Sequence, residues 1–273
     1  MKSLILSDRT VTTTLPAFVM GIVNATPDSF FDRSRGGVDE ALRLIDEGAD
    51  LLDIGGESTR PGSEYYVSAE EEIRRVIPVI EGVRKVSDIP LSVDTRKFEV
   101  MKAAFEAGAD ILNDISALED DERLAAFCSE TKIPVILMHK RGNPSTMQKN
   151  TVYENVFDEV NEYLAARIDF ALKSGIAPEK IWLDPGIGFG KNVTDNFALM
   201  KRCGEFLGGK YLVLMALSRK TCIGEVTGRA VEERLTGTLV ADILSVMRGA
   251  SMIRVHDVKE AVDSLKILSA FCG

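Results

Sequence analysis

Two stretches, "EGADLLDIGG" (47–56) and "EAGADILND" (106–114), decide how the chain is read. In each, a glycine ends an amphipathic segment and an Ala-Asp pair leads into an aliphatic run. Each run carries a polar residue near its end, Asp53 in one and Asn113 in the other. Glycine just past the last periodic residue is a helix stop signal. A short, continuously apolar run reads as a strand buried on both faces, as in a parallel sheet.

The same unit recurs along the chain. Aliphatic runs lie at 18–23, 51–54, 90–93, 111–112, 134–138, 181–183, 211–217 and 251–255. Amphipathic segments lie at 38–48, 68–86, 97–108, 120–131, 153–174, 194–207, 231–248 and 259–270. Apolar residues there recur at helical spacing, as in Ile73, Val76, Ile77 and Ile80. Strand–helix units of this number in a chain of this length predict an α/β fold, a closed (β/α)8 barrel of TIM type. A doubly wound open sheet is the structural alternative. Residues 1–17 read as a short N-terminal addition, a hairpin closing the barrel's bottom. No linker-like tract divides the chain, so a single domain over 1–273 is expected.

Polar residues collect where the runs stop: Asn24, Asp53, Asp94, Asn113, His139, Asp184, Ser218 with Lys220, and Arg254 with His256. In a parallel barrel these ends share one rim, where barrel enzymes build their sites. A buried polar group costs free energy unless paired, so this many read as one lined pocket. The segment "IWLDPGIGFGK" (181–191) adds a glycine turn after Asp184. It fits no P-loop, because Asn192 follows Lys191 where Ser or Thr is required, and it lacks the spacing of a dinucleotide fingerprint. Asp94, Asn113 and Asp184 could grip a flat heterocycle, since a carboxylate fork matches two adjacent N–H donors. Arg60, Lys220, Arg254 and His256 could hold a diphosphate. Asn24 suits Mg2+, which takes few protein ligands and keeps phosphates and waters.

Composition narrows the classes. The net charge is −9, from 33 basic and 42 acidic residues, which argues against general nucleic-acid binding. Any anionic ligand must therefore meet a local cluster of cations. Four cysteines without C-x-x-C spacing and two histidines make a structural zinc site improbable. No apolar run approaches the ~20 residues that span a bilayer. The N-terminus lacks the order of a signal peptide, so a cytoplasmic protein is expected.

With these residues on the page, the chain resembles dihydropteroate synthases. The resemblance rests on "MGIVNATPDSF" (20–30), "DIGGESTRPG" (53–62), "SVDT" (92–95), "NDIS" (113–116), "MHKRGNPSTMQ" (138–148), "DPGIGFGK" (184–191), "LSRK" (217–220) and "IRVHDV" (253–258), in order across the chain. It implies condensation of (7,8-dihydropterin-6-yl)methyl diphosphate with 4-aminobenzoate, with Mg2+ as cofactor, a homodimer, and sulfonamide inhibition. By position it implies that Asp94, Asn113, Asp184 and Lys220 bind the pterin. Asn24, Arg254 and His256, with Mg2+, would hold the diphosphate. Thr59, Arg60, Pro61, Phe189 and Ser218 would form the 4-aminobenzoate site. Asp28 and Phe30 would act from the first loop. Asp94, Lys220, Arg254 and His256 would carry the catalysis. The chain departs from the family in its first loop, where "FDRSRGG" (31–37) stands in place of the common Ser-Asp-Gly-Gly, and more mildly in Ile187, where Phe is common.

Duller readings compete for single residues. Lys220 alone could be a solvated lysine, and Met200, Met215 and Met247 read as core filler. His139, followed by Lys140 and Arg141, reads as a basic loop outside the catalytic core. Three rival functions share some features. A pterin-dependent methyltransferase would use the same Asp/Asn/Asp grip, and methyltetrahydrofolate with a corrinoid acceptor would reveal it. A Schiff-base lyase would use Lys220, and borohydride would trap it. A non-catalytic module would bind pterin without turnover.

Overall fold

The computed structural model describes residues 2–25, 35–57, 67–142 and 151–272. An antiparallel hairpin comes first, β1 (Lys2–Ile5) and β2 (Thr10–Thr13). The barrel units follow as β3 (Phe18–Asn24), α1 (Arg35–Asp46), β4 (Leu51–Gly55), α2 (Ala69–Arg84), β5 (Leu91–Asp94) and α3 (Phe98–Glu106). Next come β6 (Ile111–Asp114), α4 (Arg123–Thr131), β7 (Val135–Met138), α5 (Val156–Lys173), β8 (Ile181–Asp184) and α6 (Val193–Lys201). The chain ends with β9 (Leu212–Met215), α7 (Thr221–Thr227), α8 (Leu235–Met247), β10 (Met252–Val255) and α9 (Val258–Cys272). Strands β3 to β10 are parallel and close in the order β10-β3-β4-β5-β6-β7-β8-β9. Closure excludes the open-sheet alternative, and each expected strand is present.

The repeated Ala-Asp has a physical purpose. Asp50 Oδ2 accepts from Val19 N at 2.8 Å, and Asp110 Oδ2 accepts from Leu91 N at 2.9 Å. Each aspartate also donates its own N–H back, to Val19 O and Leu91 O. The motif thus clips the entrance of one strand to the entrance of its neighbour, β4 to β3 and β6 to β5. Burial pushes both carboxylates up from their ordinary values, and these hydrogen bonds pull them back.

Strand alternation then sorts the side chains, since successive residues face opposite sides. Val19, Val23, Leu52, Ile54, Val93, Leu112, Leu137, Leu183 and Val255 join the core between barrel and helices. Phe18, Met20, Leu51, Ile111, Ile136, Trp182, Leu214 and Met252 pack together with Leu4 and Leu6 of the hairpin region. These fill the inside of the barrel at the strand entrances. Phe18 meets Trp182 edge-on, ring centroids 6.0 Å apart. The hairpin is fastened by Lys180 Nζ, which donates to Ile5 O and Leu6 O, and by Lys2 Nζ, which donates to Ala250 O at 2.7 Å. The expected bottom closure is therefore present.

Two helix expectations change. The segment 194–207 is not one helix: α6 ends at Lys201, and Phe206 and Leu207 leave helical geometry. Gly204 N donates to Arg248 O, and Phe206 stacks on Phe157 with centroids 4.8 Å apart, so tertiary contacts override helical spacing. The segment 231–248 becomes helical in α8 only at Leu235, because Arg234 turns back to donate to Arg219 O and Arg229 O. Helix α7 was not expected; a short helix shows little periodicity to read.

Leu6→Ala should lower the unfolding free energy by roughly 2–5 kcal/mol, the usual range for a buried leucine. Urea denaturation followed by Trp182 fluorescence measures it. An unchanged midpoint would mean that the hairpin is an ornament and not a plug.

Candidate active site

The inward-facing parity that is apolar at the strand entrances turns polar toward the exits. Counting by twos gives Met20, Ile22, Asn24 on β3; Leu51, Asp53 on β4; Ser92, Asp94 on β5; Ile111, Asn113 on β6; Trp182, Asp184 on β8; and Met252, Arg254, His256 on and just beyond β10. Asn24 pairs in register with Gly55, Gly55 with Asp94, and Asp94 with Asn113. A cavity of about 1020 Å³ opens here, lined by Asn24, Asp94, Phe189, Ser218, Lys220, Arg254 and His256 among others. Asn113 and Asp184 are more deeply placed, 5% and 4% exposed.

Asp53 holds the centre together. Its Oδ2 accepts from Arg254 Nε at 2.6 Å and from Asn113 Nδ2 at 3.0 Å. Arg254 Nη2 donates to Asp94 Oδ2 at 3.1 Å. Asp53 itself is fully buried, and its Oδ1 has no hydrogen-bond partner among the described residues. One N–H of the Asn113 amide goes to Asp53, which turns the nitrogen that way and leaves Oδ1 able to accept from a ligand. Asp94, Asn113 and Asp184 therefore offer oxygen acceptors, a set that suits a heterocycle edge rich in N–H groups.

Charge is tuned by burial and by neighbours. Burial and then the Asp53 carboxylate raise Asp94 to about 7, against the pull of Arg254. Burial lowers Lys220 to about 8, while Asp184 favours its charge. Burial also raises Asp184, whose Oδ1 accepts from Gly186 N at 2.7 Å. Burial opposes the Arg254 charge, but Asp53 and Asp94 outweigh it and leave that guanidinium firmly protonated.

The glycine turn after Asp184 is a steric necessity. Gly186, Gly188 and Gly190 all have left-handed φ (68°, 84° and 70°). A Cβ on Gly186 would lie 1.8 Å from His139 O. The turn delivers Phe189, whose ring lies under Lys220 Nζ at 4.6 Å and joins Ile115 and Met138 in an apolar patch. Asn192 then caps α6, its Oδ1 accepting from Asp195 N at 2.9 Å. That explains an asparagine where a P-loop would have Ser or Thr.

Most site residues expected from sequence meet here. Ser218 Oγ accepts from His256 N at 3.2 Å and lies 2.9 Å from His256 Nδ1, so a residue assigned to the aryl site and one assigned to the anion site are neighbours. Asn24 ends β3 at the rim. His139 has the opposite parity to Met138 and packs edge-on against Tyr163; it is 5% exposed, a buried residue where the sequence reading had a basic loop. Asp28, Phe30, Thr59, Arg60 and Pro61, and most of the altered first loop, lie outside the described residues. The sequence reading missed Asp53 as a hub, the Ile115–Met138 patch, and Lys191. Inward parity would have flagged Asp53 and Met138.

Residues 20–256 match the family of pterin-binding enzymes. The dihydropteroate synthase of Escherichia coli K12 is 45% identical over 92% of this chain and 90% of its own. The chain belongs to the dihydropteroate synthase family. Among solved structures, Xanthomonas albilineans dihydropteroate synthase with 4-aminobenzoic acid superposes with a TM-score of 0.92 at 44% identity, covering 99% of this chain and 98% of that one. The same enzyme in complex with 7,8-dihydropteroate superposes with a TM-score of 0.88 at 41% identity, covering 100% and 99%.

Asp94 generates a testable asymmetry in stability. Below the ordinary carboxylate range both folded and unfolded chains carry its proton. Between that range and about pH 7 only the folded chain keeps it, so stability falls as pH rises. Asp94→Asn should therefore melt at a higher temperature than wild type at about pH 8, and the gap should close by about pH 4. A gap that widens on acidification would reverse the assignment.

Proposed function

We infer that the chain is a dihydropteroate synthase, joining (7,8-dihydropterin-6-yl)methyl diphosphate to 4-aminobenzoate with release of diphosphate. The observation that carries this reading is the acceptor array of Asp94, Asn113 and Asp184 beside the cations Lys220 and Arg254, at one rim of a barrel of this family. The carbon–oxygen bond to diphosphate breaks, diphosphate leaves with the electron pair, and the pterin methylene carries the positive charge. The aryl amine then attacks the methylene and sheds a proton. No covalent nucleophile is needed; stabilising the separated charges and placing the amine are enough.

Each residue has a part in this reading. Asp94, Asn113 and Asp184 bind the N–H edge of the pterin, and the two aspartate carboxylates stabilise the cation. Lys220, over Phe189, donates to the ring's acceptor side. Arg254 and His256 receive the diphosphate at the β10 end, although Asp53 and Asp94 already claim two Arg254 nitrogens. Ser218 and Phe189 form the described part of the aryl site; Thr59, Arg60 and Pro61 are assigned to the same site, and Asp28 and Phe30 to substrate binding, by the family resemblance.

The donor set fits Mg2+ in one respect. Asn24 offers a hard oxygen at the rim, and the described residues contain no cluster of His, Cys, Asp or Glu that would cage a metal. Asn24 would hold the ion, which would supply positive charge to the leaving group. A Schiff-base role for Lys220 draws support only from its lowered pKa, and its amine lies over the Phe189 ring.

The reading extends to a single catalytic domain working in the cytoplasm as a homodimer. No described helix is long and apolar enough to cross a membrane. Val240, Leu244 and Met247 form an exposed apolar stripe at i, i+4 and i+7 on α8, 55%, 56% and 56% exposed. A second copy of the chain would cover it. Leu244→Glu should shift the molar mass in light scattering from dimer to monomer; a dimer that survives would move the interface elsewhere.

Turnover is tested by incubating the purified protein with dihydropterin diphosphate, Mg2+ and 4-aminobenzoate, following diphosphate and dihydropteroate together. Both should appear. Pterin binding without product would reduce the chain to a binding module. Asp184→Ala should weaken free pterin by roughly 2–4 kcal/mol, the cost of losing a charged acceptor in a dry site. Arg254→Ala should weaken diphosphate more than pterin, as calorimetry with each ligand would report.

A further inference from the structure

Lys191 has no part in the reading above, yet it is 3% exposed and fully engaged. Its Nζ donates to Gly186 O at 2.8 Å and to Phe189 O at 3.0 Å, and lies 2.9 Å from His139 Nδ1. Burial lowers Lys191 to about 7, with Asp184 favouring its charge, and whichever N–H groups it carries are taken by these acceptors, with His139 O at 3.5 Å a weaker fourth. Lys191 therefore has no N–H to offer a substrate. Burial, then the charges of Lys191 and Arg141, keep the His139 ring neutral, so its Nδ1 can accept.

The two carbonyls bracket the turn that matters most. Gly186 N holds Asp184 Oδ1, and Phe189 N closes the turn onto Gly186 O at 3.1 Å. The Phe189 ring in turn underlies Lys220. One buried cation thus fixes the carboxylate's hydrogen-bond clamp, the aromatic platform and the end of β7.

We propose that Lys191 is a positioning residue for the pterin site, tying the 186–189 turn to His139 so that Asp184, Phe189 and Lys220 keep their mutual geometry. This rests on the reading of Asp184 and Lys220 as pterin ligands. Lys191 acts through the turn and not by contact, so its loss should fall on one ligand. Arg254 is held by Asp53 and Asp94, and His256 by Ser218, none of them part of the turn, so both should keep their anion.

The test uses 6-hydroxymethylpterin and inorganic diphosphate as separate calorimetric probes of the full chain. Lys191→Met should lower pterin affinity about tenfold or more and leave diphosphate within about twofold. In turnover, KM for the pterin substrate should rise by a similar factor while kcat stays within about threefold. His139→Leu removes one acceptor of the three and should give a smaller loss with the same selectivity, which covers the case of Lys191→Met failing to fold. Wild-type pterin affinity in folded Lys191→Met overturns the proposal. Equal loss of both probes in either variant also overturns it, because Lys191 would then be a fold residue only. A wild-type chain that binds neither probe would instead sink the functional reading beneath it.

Discussion

A strand in a closed barrel has one face that looks inward, and alternation gives that face every second residue. The whole site depends on this constraint. At the strand entrances the inward positions are Phe18, Leu51, Ile111, Trp182 and Met252, packed under Leu4 and Leu6. One to three steps further along the same parity stand Asn24, Asp53, Asp94, Asn113, Asp184 and Arg254. The barrel is a dry plug below and a charged cup above, with no change of backbone between them. A one-residue slip in any strand would send its polar tip into the helix-facing core. The Ala-Asp clips at Asp50 and Asp110 act at the strand entrances, where such a slip would begin.

Placing carboxylates together in a cup is costly, and the molecule limits the cost by sharing. Asp53 and Asp94 share one guanidinium, and Asp53 also takes the Asn113 amide. Removing Arg254 from this buried set would leave two carboxylates without their cation, which is worse than never having had the pair. The same logic separates Arg254 from the exposed ion pairs on the helices, such as Lys173–Asp169 and Lys266–Asp263, which are worth little in water.

Much of this was legible in the sequence because it is written in period. The strands, the barrel and the polar rim follow from aliphatic runs of the right length, glycine stops such as Gly48 and Gly108, and residues where runs end. The motif resemblance supplied the chemistry. What escaped was long-range. Asp53 and Arg254 are 201 residues apart, and no local pattern announces their contact. Lys191 looked like the lysine of a failed P-loop, because nothing nearby in sequence shows His139 as its partner. The break after Lys201 escaped for a similar reason: Gly204 is held against Arg248 by packing that helical spacing does not encode. Position alone assigned Ser218 and His256 to different ligands, yet they touch.

The free site is held near an electrostatic balance that a ligand resolves. Asp94 is pushed up to about 7 and Lys220 down to about 8, so both approach neutrality from opposite sides. Each shift has the same first cause, burial, which opposes whichever form is charged. An N–H-rich edge laid on Asp94 favours its ionised form, and an acceptor brought to Lys220 favours its protonated form. Part of the binding energy of the heterocycle is spent restoring charges that folding had suppressed. A cup that is partly discharged when empty is also easier to fold, and this reconciles a crowded acidic rim with a stable barrel.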